Sequence, residues 1–155
     1  MSTLKLNFIP IPKSKTGDMD DTEILARTIY GEARGEGIPG MEAVAAVIIN
    51  RTLRAKRRGG TYWWGNTVGD VCTRRWQFSC WNTNDPNRNK LLSVTTQNRK
   101  YKTCTRIARR AIAGTLDDPT NGATHYHAAG IFPVWARGRM FSAEIGRHQF
   151  YNNVE

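Results

Sequence analysis

The sequence predicts a mainly α domain of the α+β class, with long irregular loops and at most a small β element. Three observations carry this expectation. Apolar residues recur at helical spacing in three separate stretches. The region from Gly59 to Asn98 is rich in glycine, asparagine and tryptophan but sustains no period. The final third offers turn chemistry and short strand-like runs. At 155 residues the chain suits one domain, assigned to residues 20–155, with residues 1–19 as an extended lead-in.

The first helix is expected to begin at Asp20 or Asp21, where Asp20-x-x-Glu23 has the form of a capping box. Ile24, Leu25 and Ile29 follow helical spacing, and Leu25, Ile29 and Glu32 stand at i, i+4 and i+7. Glu32 therefore shares a face with the core stripe, an odd place for a solvated carboxylate. Gly35, Gly37 and Gly40 then end the helix and shape a turn. A second helix over 39–54 carries Met41, Val44, Ala45 and Ile48 on one side. A third, over 95–113, aligns Tyr101, Cys104, Ala108 and Ala111, with Gly114 as its stop. DDPTNGA (117–123) reads as a turn, followed by a short strand near 124–128. Residues 59–98 read as an ordered irregular excursion of the kind that carries function.

The net charge of +10 implies an anionic partner: nucleic acid, a phosphate-bearing membrane or an acidic wall polymer. The local run RAKRR (54–58) also reads as a solvated basic face. No apolar run approaches the roughly 18 residues that span a bilayer. The N-terminal stretch is broken by prolines and lacks the apolar core of a secretory signal. Cys72, Cys80 and Cys104 form no C-x-x-C. A Cys72–Cys80 disulfide would close a short loop, whereas buried free thiols suit a reducing cytoplasm. Nothing in the sequence pairs Cys80 with a base.

Several chemistries can be weighed. His125 and His127 would share a strand face and could ligate zinc with His148, a cysteine or an acid as third ligand, or could simply hydrogen-bond in a cleft wall. There is no G-x-S-x-G elbow, no P-loop and no dinucleotide fingerprint. Glu32 fits the chemistry of glycosidic cleavage, in which a carboxylic acid protonates the leaving oxygen. Burial against Leu25 and Ile29 would hold its proton towards neutral pH. The neighbouring glycines would let a bulky polymer approach, and Trp63, Trp64, Trp76, Trp81, Tyr126 and Trp135 could wall a sugar site. The competing reading pairs Glu32 with Arg34, Arg51 or another arginine, and spacing alone does not separate the two.

ILARTIYGEARGEGIPGMEAVAAVIINR (24–51) resembles the signature of the SleB-type cell wall hydrolases, a family of spore cortex-lytic enzymes and phage or prophage endolysins. WQFSCW (76–81), DPTNGATHYHA (118–128), PVW (133–135) and IGRHQFY (145–151) follow in the family's order. The resemblance implies a lysozyme-like lytic transglycosylase domain acting on the MurNAc–GlcNAc bond of peptidoglycan, with no metal and no cofactor. It maps the catalytic acid onto Glu32 and leaves Glu36 as a structural residue or helper. Gln77, Phe78, Ser79, Tyr126, His127, Trp135 and His148 match its cleft blocks. The segment GGTYWWGN (59–66) and the high positive charge depart from the family's pattern, and the separate wall-binding repeat of the spore enzymes is not seen. These features fit a monomeric endolysin made in the cytoplasm, which reaches the wall after a partner such as a holin permeabilises the membrane. Alternatives are a hydrolytic muramidase, with Glu36 as first candidate for a second carboxylate, a zinc amidase built on His125 and His127, and a nucleic-acid module using the aromatics among arginines at TRRWQFSCW.

Overall fold

The computed structural model describes residues 19–60, 62–74 and 77–154. Of the predicted lead-in only Met19 falls among them, and it packs against the main core. Helix α1 (Asp21–Ala33) starts where the cap predicts: Asp20 Oδ1 accepts from the Glu23 backbone N–H at 2.9 Å. Helix α2 (Ile38–Arg57) holds Pro39 in its first turn and runs three residues past the predicted end. Leu53, Ala55, Lys56 and Arg57 are good helix formers, and cations in a last turn complement the helix dipole. The RAKRR run is thus largely the end of a helix.

The excursion from 59 to 98 is more regular than its sequence suggests. It contains α3 (Val68–Thr73), a 3₁₀ turn (Ser79–Trp81) and α4 (Pro86–Ser93). These helices span six and eight residues, too short to display a hydrophobic period. Their caps were the only local signal: Thr67 Oγ1 accepts from Asp70 N at 3.0 Å, and Asp85 Oδ1 from Asn87 N at 2.8 Å. Helix α5 (Arg99–Ile112) begins four residues later than predicted because Asn98, rather than Thr95, caps it, its Oδ1 accepting from Tyr101 N at 3.0 Å. Gly114, at φ 76°, terminates it as expected.

The strand predicted near 124–128 is β1 (His125–Ala128). It belongs to a three-stranded antiparallel sheet with β2 (Ala143–Ile145) and β3 (His148–Tyr151), in the order β1–β3–β2. Tyr126 pairs with Phe150, His127 with Gln149 and Ala128 with His148.

Helix α1 is the hub, packed against α2, α3, α4 and α5. Ile24, Leu25 and Ile29 meet Val44, Ala45 and Ile48 of α2, Trp64 of the loop and Ile107 and Ala108 of α5 in one core. A second cluster of Ala43, Val47, Ala123 and Phe150 fastens the other side of α2 to the sheet. The three cysteines are free and buried, and loss of hydration pushes the thiols of Cys72 and Cys104 up to about 12. They serve as packing groups.

Asp21 is buried at the start of α1, where Oδ1 accepts from Gly69 N at 3.2 Å. Loss of hydration lifts its carboxyl from 3.8 to about 6; the Gly69 bond opposes that shift, while the charges of Asp70 and Asp20 add to it. A raised folded pKa favours the protonated form, so its stabilising contribution is complete below 3.8 and disappears as pH rises through about 6. Asp21→Asn keeps an acceptor for Gly69 and removes the charge. It should raise stability at pH 7 by about 1–3 kcal/mol and lose that advantage at pH 4. Urea unfolding at the two pH values checks this.

Candidate active site

The last turn of α1 carries Glu32. A methyl at the preceding Gly31 would lie 3.0 Å from Cβ and Sγ of Cys80 and 3.1 Å from Cδ2 of Leu91. The absence of a side chain there lets the 3₁₀ turn press directly on the helix. From the sheet, the Tyr126 hydroxyl donates to Glu32 Oε1 at 3.1 Å, across 94 residues of sequence. Burial is the largest influence on Glu32 and raises its pKa; the Tyr126 bond, the charge of Arg51 and a Cys80 thiol contact work against it, and the charge of Asp85 adds to it. The net result is a carboxyl that holds its proton above the usual range. Burial, reinforced by the Glu32 charge, puts the Tyr126 hydroxyl well above its usual value, so it remains a donor.

Among the described residues, Glu32 takes its side-chain hydrogen bond from Tyr126 and not from an arginine. Arg34 donates to Asn87 Oδ1 at 2.6 Å and to the Gly31 carbonyl at 3.2 Å. Arg51 is buried on α2, donating to the Thr124 carbonyl at 2.7 Å and to Gln77 Oε1 at 2.6 Å. Its guanidinium also lies over the rings of Phe78 and Trp64, 5.3 and 5.5 Å from the centroids. Arg51 thus holds two predicted cleft residues, Gln77 and Phe78, against the strand that presents Tyr126. Its importance was missed, although Val44, Ile48, Arg51 and Ala55 fall at i, i+4, i+7 and i+11, placing a cation within an apolar stripe. Ser79 opens the 3₁₀ turn as an exposed residue.

Alternation along β1 separates the remaining predicted residues. Tyr126 shares its face with His148 and Phe150, at ring distances of 5.2 and 5.4 Å. His125 and His127 point to the other face, where His127 stands 5.8 Å from the Trp135 ring and His125 5.1 Å from it. Glu32, Tyr126 and His148 therefore gather on one side of the strand, while His127 and Trp135 form an aromatic group on the other with Phe132 and Tyr151. His127 Nε2 meets the Tyr151 hydroxyl and Nδ1 the Ala128 carbonyl, each at 2.9 Å; His125 Nδ1 meets Thr124 Oγ1 at 2.9 Å. Among the described residues, no three of His, Cys, Asp and Glu come together as a metal-holding group.

Not every predicted aromatic is available to a sugar. Trp64 is fully buried and donates Nε1–H to the Arg51 carbonyl at 3.0 Å, so it is a core residue. Trp81 donates to Thr28 Oγ1 at 2.9 Å, whereas Trp63 is 54% exposed. Trp76 lies outside the described residues.

Glu36 performs a local task that its position after the turn only hinted at. Oε1 accepts from the Arg147 backbone N–H at 3.3 Å and from His148 Nδ1 at 3.0 Å. Gly146, at φ 58°, forms the adjoining β2–β3 turn, and a Cβ there would stand 2.6 Å from Glu36 Oε2. The carboxylate thereby ties the glycine turn after α1 to the hairpin. Burial lowers the pKa of His148, with the Glu36 charge opposing, so a neutral imidazole with its proton on Nδ1 suits this contact.

The family profile described as Cell Wall Hydrolase matches residues 35–151, beginning just after Glu32. A spore cortex-lytic enzyme of Halalkalibacterium halodurans is 31% identical over 138 residues, which make up 86% of this chain and 35% of the relative. One from Bacillus cereus is 29% identical over 136 residues, 84% of this chain and 44% of the relative. The chain therefore spans less than half the length of these curated relatives. The crystal structure of the catalytic domain of the Bacillus cereus SleB protein matches at TM-score 0.63 and 30% identity, over 84% of this chain and 88% of that one. The catalytic domain of the germination-specific lytic transglycosylase SleB from Bacillus anthracis matches at TM-score 0.62 and 30% identity, over 84% and 93%. The mainly α, lysozyme-like fold with its small sheet agrees with the expectation from sequence, and the chain belongs to the cell wall hydrolase family.

Proposed function

We propose that the protein cleaves the MurNAc–GlcNAc bond of peptidoglycan as a lytic transglycosylase, with Glu32 as its proton-transfer group. The observation that carries this reading is a proton-retaining carboxyl at the end of a buried helix, held by the Tyr126 hydroxyl at 3.1 Å. The protonated carboxyl donates to the leaving glycosidic oxygen as the sugar gains oxocarbenium character. The resulting carboxylate then takes the proton of the C6 hydroxyl of MurNAc, which attacks its own anomeric carbon. The attack is intramolecular, an advantage of up to roughly 7–11 kcal/mol in favourable cases. Tyr126 favours the ionised state that follows donation, while burial favours the acid that precedes it. Glu36 is occupied by Arg147 and His148 at the hairpin, which speaks for a mechanism without a second carboxylate. In the setting implied by the phage members of the family, the enzyme acts as an endolysin after a holin-type partner permeabilises the membrane.

Glu32→Gln keeps the shape and an acceptor for Tyr126 but cannot exchange the proton. Turnover of purified peptidoglycan should fall by about 10²-fold or more. Because the folded pKa of Glu32 is raised, the charged form disfavours the fold, and the variant should be at least as stable at pH 7. Mass spectrometry of a wild-type digest should find 1,6-anhydro-MurNAc ends, each one water lighter than a hydrolysed end. Reducing MurNAc ends would make the enzyme a muramidase, and undiminished turnover by Glu32→Gln would remove the catalytic assignment.

The pH profile gives a separate check. kcat/KM should fall as pH rises through the raised pKa of Glu32, since the acid form is required. Tyr126→Phe deletes a bond that favours the carboxylate, so this alkaline limb should move to higher pH while the maximal rate drops. A limb that stays in place would show that Tyr126 does not act on the Glu32 proton. Glu36→Gln should lower the unfolding midpoint more than it lowers turnover, as measured by thermal unfolding beside the peptidoglycan assay.

A further inference from the structure

We propose that the outer face of α5 is a docking stripe for a linear phosphate-bearing polymer of the bacterial wall, of the poly(glycerol phosphate) class. Arg99, Lys102, Arg106 and Arg109 are exposed at i, i+3, i+7 and i+10. They form a row about 15 Å long at 1.5 Å per residue. Arg106 donates to the neighbouring Thr103 Oγ1 at 3.3 Å, whereas Lys100 and Arg110 tie the helix to the rest of the fold: Lys100 Nζ donates to the Arg34 carbonyl at 2.9 Å, and Arg110 pairs with Glu42 at 3.0 Å. No carboxylate pairs with the four of the stripe among the described residues, and no acid occurs from Val94 to Leu116.

Over the first turns this placement works against the helix. Cations at i, i+3 and i+4 repel one another. Arg99, Lys100 and Lys102 crowd the N-terminal end, where the dipole favours acids, and the first turn contains none. Arg109, in the last turn, does complement the dipole, but Arg99, Lys102 and Arg106 do not, so helix stability does not explain the row. Beside it lies a shallow groove of about 410 Å³ lined by Ile38, Thr103, Arg106, Ile107, Arg109 and Arg110. Ile38 is 52% exposed, an apolar surface for the carbon backbone between phosphates.

The chemistry of the face selects among anionic partners. Tyr101, the aromatic residue of α5, is buried at 4% exposure, so the helix offers no ring for stacking the bases of a single-stranded nucleic acid. A bilayer surface calls for a belt of apolar side chains below the cations, and Ile38 alone does not make one. A single row of charges beside a narrow groove suits a flexible chain with one phosphate per short repeat. Lys100 also joins the start of α5 to the residues just past Glu32, so a captured polymer would lie along the helix that abuts the end of α1.

The polymer's identity rests on the wall-directed reading above, but binding is read without turnover, so either reading can fail alone. The test compares Lys102→Gln/Arg106→Gln/Arg109→Gln with Arg57→Gln/Lys90→Gln/Arg137→Gln, which removes three exposed cations elsewhere. Binding to labelled poly(glycerol phosphate) is followed by fluorescence anisotropy over a salt series. The stripe variant should bind about tenfold or more weakly, with the slope of log K against log salt flattened by about 2. The control should change by less than about threefold. The stripe variant should unfold no earlier than the parent and should turn over polymer-free peptidoglycan at the parent rate. Equal loss in both variants would assign binding to net charge alone. Unchanged polymer binding with weakened binding to anionic vesicles or an oligonucleotide would assign the face to another partner. A loss of turnover on polymer-free peptidoglycan would make α5 part of the glycan site. Each of these three results overturns the proposal.

Discussion

A guanidinium buried in an apolar helix needs partners on every side, and meeting that need organises this molecule. Arg51 projects from α2 among core residues, and its donors reach the Thr124 carbonyl and Gln77 Oε1. Thr124 immediately precedes β1, and Gln77 precedes the 3₁₀ turn that packs on Gly31. One side chain therefore fixes the sheet and the loop on either side of the end of α1. The stacking of Phe78 and Trp64 on the same cation completes its surroundings with apolar faces. Removing this charge would release the strand that carries Tyr126 as well as weaken a field felt at Glu32.

Helix α1 contains a buried carboxyl, Asp21, at its start and a partly buried one, Glu32, at its end, and loss of hydration raises the pKa of both. At Asp21 the burial is a cost partly offset by the Gly69 backbone bond. At Glu32 the same physics leaves a carboxyl that holds its proton above the usual range. The difference lies in what faces each acid. Asp21 meets a helix start and the charges of Asp70 and Asp20, whereas Glu32 meets a hydroxyl that stays protonated, with the charge of Asp85 raising its pKa and that of Arg51 lowering it. Stability lost at one end of the helix and chemistry proposed at the other come from one decision, to carry acids on a buried helix.

The sheet divides labour across β1. One face contributes Tyr126 and, through β3, His148, which meets Glu36 at the β2–β3 turn. The opposite face builds a cluster of His127, Trp135, Phe132 and Tyr151. Beyond it the connection to β2 exposes Ile131, Phe132 and Val134, at 64%, 63% and 75%, as an apolar rim. Phe132 joins this rim to the His127 face of the strand, away from Tyr126 and Glu32, so the two groups of predicted cleft residues have different surroundings despite being neighbours in sequence.

Much of this was legible in the chain itself. Asp20 marks the start of α1 because a cap bonds to a backbone N–H three residues away, and Glu32 falls on the buried face because 3.6 residues make a turn. The quoted family motifs implied the lysozyme-like fold with its small sheet, and the structure has it. Helices α3 and α4 escaped because six to eight residues complete too few turns to show a period. What only the tertiary structure decided was which groups meet across large separations. Adjacent Trp63 and Trp64 have the same propensity, yet one is exposed and the other is sealed under Arg51. Alternation in β1 shows that Tyr126 and His127 face opposite ways, but only packing of Phe150 against α2 turns Tyr126 towards Glu32. Periodicity and capping act over a few residues of chain, whereas the Tyr126–Glu32 bond spans 94 and exists only when α1, α2 and the sheet are packed together.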